Sequence, residues 1–399
     1  MKDGVIIPIV GGVRLSGKIN KNWRIGVMNV QTAKSEILKY DAQNYTVIAA
    51  SRQIFDKSNI SAIFVNRQAF VAKTFNKKDY NRLLGLDYNL LSKNNLWQGK
   101  LFYHYALLDF KAKDNYSQAV WIGRSTRNVS LGYNHEYVGE NFVAETGFVP
   151  RLYNYDAATK TTRRVAYWRF EDYFNYKFYP QSKIINHHGP GLYYSLYTNK
   201  KLQSNDVLAQ FNYTVNFQNQ GFTRLDVNKF DTKLYFATDI TQSGNIPLNP
   251  GTYHYYSAKL QYKSSPIKKI NYLGAIELGT FYVGQKQSYT AEVSYRLQPY
   301  GLFTLSYTHD DIQMPQGYKN VSFDLISTRI DLAFTRSLFI TTFLQYNKQL
   351  DNVNLNTRLQ WRFKPMCDLY IVYSDNHYPT DLGIKNRAVV LKFIYWFAL

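Results

Sequence analysis

The chain has 399 residues and carries 48 lysines and arginines against 28 aspartates and glutamates, a formal net charge of +20. Its single cysteine, Cys367, excludes an internal disulfide or a thiolate metal site. The basic residues are scattered along the chain without forming one patch, which argues against nucleic acid as a partner. They are either solvated or attract an anionic partner such as lipopolysaccharide phosphate or an acidic solute.

The chain opens with a short apolar run, Val5–Val10, that is interrupted by Pro8. Such a run is too short for a signal peptide. We therefore expect either a mature chain restarted with a methionine or a missing N-terminal part. No run of 18 apolar residues follows, so no transmembrane helix is predicted, but a membrane-spanning strand needs only about 9–11 residues.

Alternation with a period of two continues almost from end to end, and no segment has the apolar spacing and caps of a helix. The clearest segments with one apolar and one polar face are 80–91, 96–108, 127–138, 163–178, 207–217, 288–298, 323–335 and 352–365. Less regular strands are predicted at 13–19, 22–32, 44–54, 59–69, 117–124, 189–200, 231–239, 252–263, 269–282, 302–309, 338–349, 368–375 and 388–399. The total is about 21 strands.

Segment 352–365 shows the two faces most clearly. Alternate positions are mostly apolar and include Leu359, Trp361 and Phe363, whereas the positions between them are asparagine, glutamine, arginine or lysine. In a soluble sandwich the apolar face would be the core. In a membrane barrel the apolar face meets lipid and the polar face lines the lumen.

The connections tend to alternate in length. Short ones are predicted at 20–21, 56–58, 92–95, 336–337 and 365–367, and longer ones at 33–43, 70–79, 139–160, 310–322 and 376–387. Outer-membrane barrels combine tight periplasmic turns with longer outer loops in this way. Together with an aromatic content of 17% at a mean hydropathy of −0.38, the rhythm predicts an all-β fold, a single large antiparallel up-and-down transmembrane β-barrel.

An even strand count requires one more strand before residue 13, because otherwise the first and last strands would meet in parallel. Val5–Val10 is the candidate, distorted by Pro8. The expected barrel then has about 22 strands, within a range of 18 to 24, and a lumen that needs a plug or inward-folded loops. Residues 1–399 are predicted to form one domain, which we expect to lack an upstream signal peptide.

The C-terminus ends in an unbroken apolar set on one face of the last strand. Its members are Val389, Leu391, Phe393, Tyr395, Phe397 and Leu399. This pattern resembles the terminal strand by which outer-membrane barrels are recognised for assembly, although such strands usually end in an aromatic residue. Two-sheet packing is less compatible with more than 20 strands of this kind.

Five stretches resemble a known family. GGVRLSGKI (11–19) with VMNVQT (27–32) and NISAIFVNR (59–67) is similar to its opening series, and GENFVAETGFVPR (139–151) to a central element. LFITTFLQYNKQLDNVNLNTRLQWRFKPMCDLYIVY (338–373) resembles its closing block. The family is DUF5916 of Bacteroidetes, in which the barrel follows an N-terminal sandwich similar to carbohydrate-binding modules of family 9. The sandwich has no counterpart here, and Met366-Cys367 replace the family's Gly-Ser after Pro365.

Charged residues on the polar faces are the candidate lumen-facing set, and they are Arg169, Glu171, Glu292, Arg296, Arg329, Asp331, Arg358 and Arg362. Two interpretations remain open. The charges either pair across strands and stiffen the wall, or they form a cationic constriction that selects anions. The resulting prediction is a non-enzymatic pore, transporter or envelope scaffold in the bacterial outer membrane, without a cofactor.

Two alternative functions remain. Long loops rich in tyrosine and asparagine would suit a cell-surface barrel that binds a glycan or another partner. An outer-membrane hydrolase is weakly supported, because no GxSxG motif is present and Asp310-Asp311 lie in a predicted loop. Expected partners are outer-membrane lipid and lipopolysaccharide, the barrel-assembly machinery during insertion, and an anionic solute or glycan.

Overall fold

A computed structural model describes residues 7–36, 38–71, 74–107, 113–147, 149–379 and 383–396. These residues contain 23 β-strands, no α-helix, and therefore no helix that could span a membrane. The strands of the first half are β1 (Ile9–Lys18), β2 (Trp23–Thr32), β3 (Ala42–Ile54), β4 (Ser58–Val71), β5 (Thr74–Leu91), β6 (Trp97–Leu107), β7 (Tyr116–Ser125), β8 (Val129–Val138), β9 (Tyr153–Asp156), β10 (Thr161–Arg164) and β11 (Tyr167–Tyr176).

The remaining strands are β12 (Ile185–Thr198), β13 (Ser204–Phe217), β14 (Phe222–Leu234), β15 (Gly251–Lys263), β16 (Ile270–Phe281), β17 (Gly284–Leu297), β18 (Gly301–Gln313), β19 (Val321–Ala333), β20 (Leu338–Asn347), β21 (Asn352–Lys364), β22 (Cys367–His377) and β23 (Ile384–Ile394). Of all the strands in the described residues, 21 belong to one sheet, and β9 and β10 form a separate hairpin. The predicted all-β, up-and-down architecture with about 22 strands is thus confirmed.

The chain divides into two compact units. The first comprises Met1–Tyr176 and Leu192–Ala209, and the second comprises Lys177–Gly191 and Gln210–Leu399. Within the first unit each strand from β1 to β8 pairs antiparallel with the next, and β8 then pairs with β11. Within the second unit the same neighbour-to-neighbour pairing runs from β14 to β23.

Connection lengths alternate as predicted in several places, with three corrections. The loop predicted at 70–79 is wrong for the described residues, because 70–71 belong to β4 and 74–79 to β5, and the two strands pair as far as Phe70↔Phe75 and Val71↔Thr74 after a register shift. The loop predicted at 310–322 shrinks to 314–320. A long connection at 235–250 was missed, since its alternating residues extend the pattern of β14.

The separate strand predicted over Val5–Val10 is not present in the described part of that stretch. Ile9 and Val10 instead begin β1, which continues through two glycines to Lys18. A shift in register with β2 lies between Ile9 and Gly11, so an irregularity stands where a turn was predicted. Val5 and Ile6 lie outside the described residues, as do Phe397 and Leu399 of the predicted C-terminal pattern.

At the turn between β21 and β22, Met366 stands where the resembling family has glycine, and its backbone conformation is unfavourable for a residue with a side chain. Met366 has a φ of 62° and is exposed. A side chain in this left-handed region is disfavoured, and glycine adopts it without penalty. Cys367 is fully buried, and its sulfur accepts a hydrogen bond from the Trp396 N–H at 3.2 Å.

Candidate functional site: the polar face of the sheet

The burial of the two faces of the sheet is the reverse of that in a soluble protein. The apolar face is exposed, and the polar face is partly buried. In β15 of the second unit, Tyr256 is 55% exposed and Leu260 57% exposed, while the alternating Lys259 and Gln261 are partly buried. In β21, Trp361 is 48% exposed. Apart from the β9–β10 hairpin, the described residues form no second sheet that could cover these side chains. The apolar face is therefore not the core of a sandwich.

The same inversion holds for the described residues as a whole. More polar or charged side chains are buried than apolar ones, and many large apolar side chains are exposed. Exposed tyrosines occur repeatedly on the apolar face, at Tyr103, Tyr133, Tyr256, Tyr262, Tyr272, Tyr289, Tyr295 and Tyr307. An apolar outer face rich in aromatic residues is typical of strands that meet lipid.

Ionic networks mark one border of the apolar face in the second unit. Leu305 and Tyr307 of β18 are followed on the same face by His309, which lies 2.7 Å from Asp324 of β19. The Tyr307 hydroxyl donates to the same carboxylate at 2.9 Å, and the Lys348 ammonium lies 3.1 Å away. Apolar side chains thus give way to charged ones toward the 314–320 and 348–351 connections.

Three of the predicted polar-face arginines are paired. In the first unit, Arg169 forms an ion pair with Glu171 two residues along the same strand and lies 3.6 Å from Glu136 of β8. In the second unit, Arg329 binds both oxygens of Asp331 at 2.7 and 3.2 Å.

Arg362 is the third paired arginine, and it lies 3.3 Å from Asp368 of β22. For these residues the wall-stiffening interpretation describes the geometry, although two of the three arginines pair along their own strand.

The other three predicted residues, Glu292, Arg296 and Arg358, form no ion pair within the described residues. Arg296 and Arg358 instead line one cavity of about 430 Å³ in the second unit. Glu292 faces Ser306 of β18 on the same polar face. The structure therefore separates the eight candidates into five paired residues, Glu292 on the polar face, and two arginines that line a cavity.

A buried arginine outside the predicted site residues holds a loop against the polar face of the first unit. The Arg67 side chain, in β4, is only 7% exposed. Its guanidinium forms ion pairs with Asp79 of β5 and, at 2.5 Å, with Glu145 of the β8–β9 connection, and it donates to Gln43 at 3.1 Å. A charged residue within the apolar run NISAIFVNRQAFV was the one available signal.

Hydrogen bonds between strand side chains and the loop backbone reinforce this attachment. Asn81 of β5 donates to the Val143 carbonyl at 2.9 Å and accepts from the Glu145 N–H at 3.2 Å. The Tyr167 hydroxyl donates to the Pro150 carbonyl at 3.1 Å. Residues 139–147 and 149–152, named here the folded loop, are therefore tied to three strands of the first unit.

An apolar cluster lies beneath the folded loop. Phe142 and Leu152 of the loop pack with Leu83, Val138 and Tyr167, and all five are buried. Leu83 and Val138 belong to β5 and β8, on the face that otherwise carries polar side chains. This local reversal of the binary pattern provides the apolar surface that the loop buries.

Asp114, in the connection before β7, anchors the start of the folded loop. It forms an ion pair with Lys200, accepts a hydrogen bond from the Tyr137 hydroxyl, and accepts another from the Glu140 N–H at 2.9 Å. Burial alone raises the pKa of the Asp114 carboxyl, but the Lys200 ammonium and the two donors outweigh it and lower the pKa overall.

A second ordered loop, residues 235–250, belongs to the second unit. The Asp239 carboxylate accepts from the N–H groups of Thr241, Gly244 and Asn245 at 2.9 to 3.0 Å. Burial raises the pKa of Asp239, but the hydroxyl and N–H donors outweigh it, so the pKa is lowered.

The loop at 235–250 is also tied to other connections of the second unit. Asn245 donates to the Lys319 carbonyl at 2.9 Å and accepts from its N–H at 3.2 Å. Gln349 donates to the Thr241 carbonyl at 3.0 Å. The loop is therefore fixed against the 314–320 and 348–351 connections.

Comparison with known proteins supports the fold through structure alone. No protein-family model matches the chain, and no curated protein does. FpvA of P. aeruginosa, solved with iron and a heterologous pyoverdine, is 11% identical, with a TM-score of 0.54 over 95% of this chain and 68% of that one. FpvAI in complex with pyocin S2 is 12% identical, with a TM-score of 0.53 over 96% and 69%.

Both structures are outer-membrane β-barrels. The fold of this chain is therefore that of a large antiparallel up-and-down transmembrane β-barrel, as the alternation predicts. At this level of identity the similarity shows the fold and carries no ligand across.

Proposed function

We propose that the protein is a pore or transporter of the bacterial outer membrane that admits small anionic solutes along a basic polar face. The observation that carries the proposal is the inversion of burial, with exposed apolar side chains on one face and partly buried polar and charged ones on the other. Such a sheet is stable where hydrocarbon meets the apolar face. The fold similarity to outer-membrane barrels supports the same location.

In this proposal the folded loop narrows the passage and the unpaired arginines favour anions. A barrel of this size encloses a lumen that inward-folded loops can constrict. The net charge of +20 makes anions the favoured solute, since a cleft lined by one sign of charge concentrates ions of the other. We propose a non-enzymatic role and insertion by the barrel-assembly machinery, while membership of the DUF5916 family stays a prediction.

Purified protein in planar lipid bilayers tests the proposal. With a tenfold potassium chloride gradient we expect discrete conductance steps and a reversal potential whose sign corresponds to chloride selectivity. The polar-face arginines supply the physical reason, because fixed positive charge excludes cations from a narrow passage. Absence of conductance, or a cation-selective reversal potential, would refute the pore.

A cell-surface binding role is the second candidate, favoured by one observation. The β9–β10 hairpin presents Tyr153 and Tyr155 with exposed rings, and the loop that carries it is anchored at both ends. Exposed aromatic rings on a fixed loop suit the stacking of sugar rings or a protein partner. Binding of the reconstituted protein on a glycan array, lost in Tyr153→Ala, would favour this role over a pore.

A further inference from the structure

One row of the sheet in the second unit carries two arginines without ion pairs. Register connects Arg296 of β17 through Leu302, Asp331 and Thr341 to Arg358 of β21, so all five positions share the polar face. Four strand spacings of about 4.8 Å place the two arginine backbones roughly 19 Å apart across a flat sheet. Both side chains nevertheless line the same cavity.

The middle of this row is already neutralised. Asp331 receives both hydrogen bonds of the Arg329 fork and a third from the Thr341 hydroxyl at 2.9 Å. Among the described residues, neither Arg296 nor Arg358 has a carboxylate within ion-pair distance, although the Arg358 charge also acts on Asp331 at longer range. The cavity therefore has a positive charge available on two walls and a polar, charge-compensated centre.

The remaining walls set the size and chemistry of an occupant. The cavity measures about 430 Å³, within the lower part of the range for small-molecule sites. Phe339 and Leu302 provide apolar surface on the polar face, and Gln298 and Gln360 provide amides. A molecule with polar groups along its length and an acid at each end would use all of these walls.

We propose that this cavity binds an elongated dianion of monosaccharide size, with one acid group at Arg296, the other at Arg358, and hydroxyls against Asp331 and Gln360. Arginine suits this role because its planar fork binds carboxylate or phosphate through two parallel hydrogen bonds. The inference rests on the proposed function, since it names the class of anion that the polar face would take. Binding of a dianion in this cavity does not require that the protein conduct ions.

Isothermal titration of the full chain in detergent tests the site, with four probes that differ in one property each. Glucarate carries two carboxylates and hydroxyls, gluconate carries one carboxylate, adipate carries two carboxylates without hydroxyls, and fructose 1,6-bisphosphate carries two phosphates. We expect glucarate to bind at least tenfold more tightly than gluconate or adipate. Comparison with the bisphosphate distinguishes a carboxylate from a phosphate as the natural acid group.

Substitution of each cavity arginine tests whether it holds one acid group of the ligand. In Arg296→Gln and in Arg358→Gln, we expect glucarate affinity to fall at least tenfold, to the level of gluconate, because only one acid group is then held. Arg224→Gln serves as the matched control, since Arg224 of β14 is another arginine of the second unit but pairs with Asp226 and does not line the cavity. Its affinity for glucarate should equal that of the unchanged protein.

Equal affinity for glucarate and gluconate, or a preference that survives both substitutions, would overturn the inference. If a variant fails to fold, protection of Arg358 in the unchanged protein from phenylglyoxal by glucarate, but not by gluconate, decides the question. Selective glucarate binding without conductance would leave the site intact and refute the pore. Anion conductance without selective glucarate binding would support the pore and refute the dianion site.

Discussion

Replacing Arg67 with methionine is expected to release the folded loop of the first unit and to increase conductance. The substitution keeps an unbranched side chain but removes the ion pairs with Asp79 and Glu145 and the hydrogen bond to Gln43. Hydrogen bonds to charged groups contribute about 1.5–3 kcal/mol each, and both carboxylates are half exposed. A loss of about 2 kcal/mol of attachment would raise the open fraction roughly thirtyfold.

Single-channel recording and limited proteolysis measure this release. We expect larger conductance steps and new cleavage within residues 139–152, while the folded fraction of the barrel is retained. Arg362→Met is the matched control, because it removes an ion-paired arginine from the polar face of the other unit. Unchanged conductance and unchanged cleavage in Arg67→Met would show that the loop does not constrict the passage.

Arginine at position 305 is expected to destabilise the protein far more than arginine at position 306. Leu305 is exposed on the apolar face of β18, and Ser306 lies on the polar face opposite Glu292 and Ser327. A lipid-facing arginine near the middle of a barrel strand costs about 2–4 kcal/mol. At position 306 the new charge faces the polar side, where Glu292 can pair with it.

Equilibrium unfolding in guanidinium from lipid vesicles measures the two costs. We expect a loss of at least about 2 kcal/mol for Leu305→Arg and a change within roughly 0.5 kcal/mol for Ser306→Arg. The neighbouring positions share strand, depth and substituent, so they differ mainly in the face presented. A larger loss at Ser306 than at Leu305 would reverse the assignment of the two faces.

Local alternation predicted the strands because successive side chains of a strand point to opposite faces of the sheet, so the pattern can be recognised from neighbouring residues alone. The segment 352–365 contains the whole of β21, and its asparagine, glutamine, arginine and lysine positions all lie on the polar face, whereas Thr357 lies on the apolar face. The same rule failed at 70–79, where β4 and β5 pair as far as Phe70↔Phe75 and Val71↔Thr74, beyond the charged residues Lys77, Lys78 and Asp79 of β5. The charged residues at those positions reflect the surroundings of the strand ends and do not mark where strand pairing stops.

The functional contacts could not be predicted by the same means. Arg67, Asp79 and Glu145 meet because a connection folds back onto the sheet, and no local pattern determines where a loop folds. Arg296 and Arg358 share a cavity through the register of five strands, which depends on the length of every intervening turn. Alternation assigned the arginines to polar-face positions, whereas their division into paired and unpaired residues required the structure.

The most direct measurement of the central claim is a cysteine scan of β21 in lipid vesicles, in a Cys367→Ser background. Each position from Val353 to Phe363 would carry a nitroxide label, and collision rates with oxygen and with a water-soluble nickel chelate would be compared. We expect a period of two, with Leu359, Trp361 and Phe363 accessible to oxygen in lipid and Arg358 and Gln360 accessible to the chelate. Labels at Leu359, Trp361 and Phe363 that reach neither reagent, as in the core of two stacked sheets, would contradict a lipid-facing apolar surface.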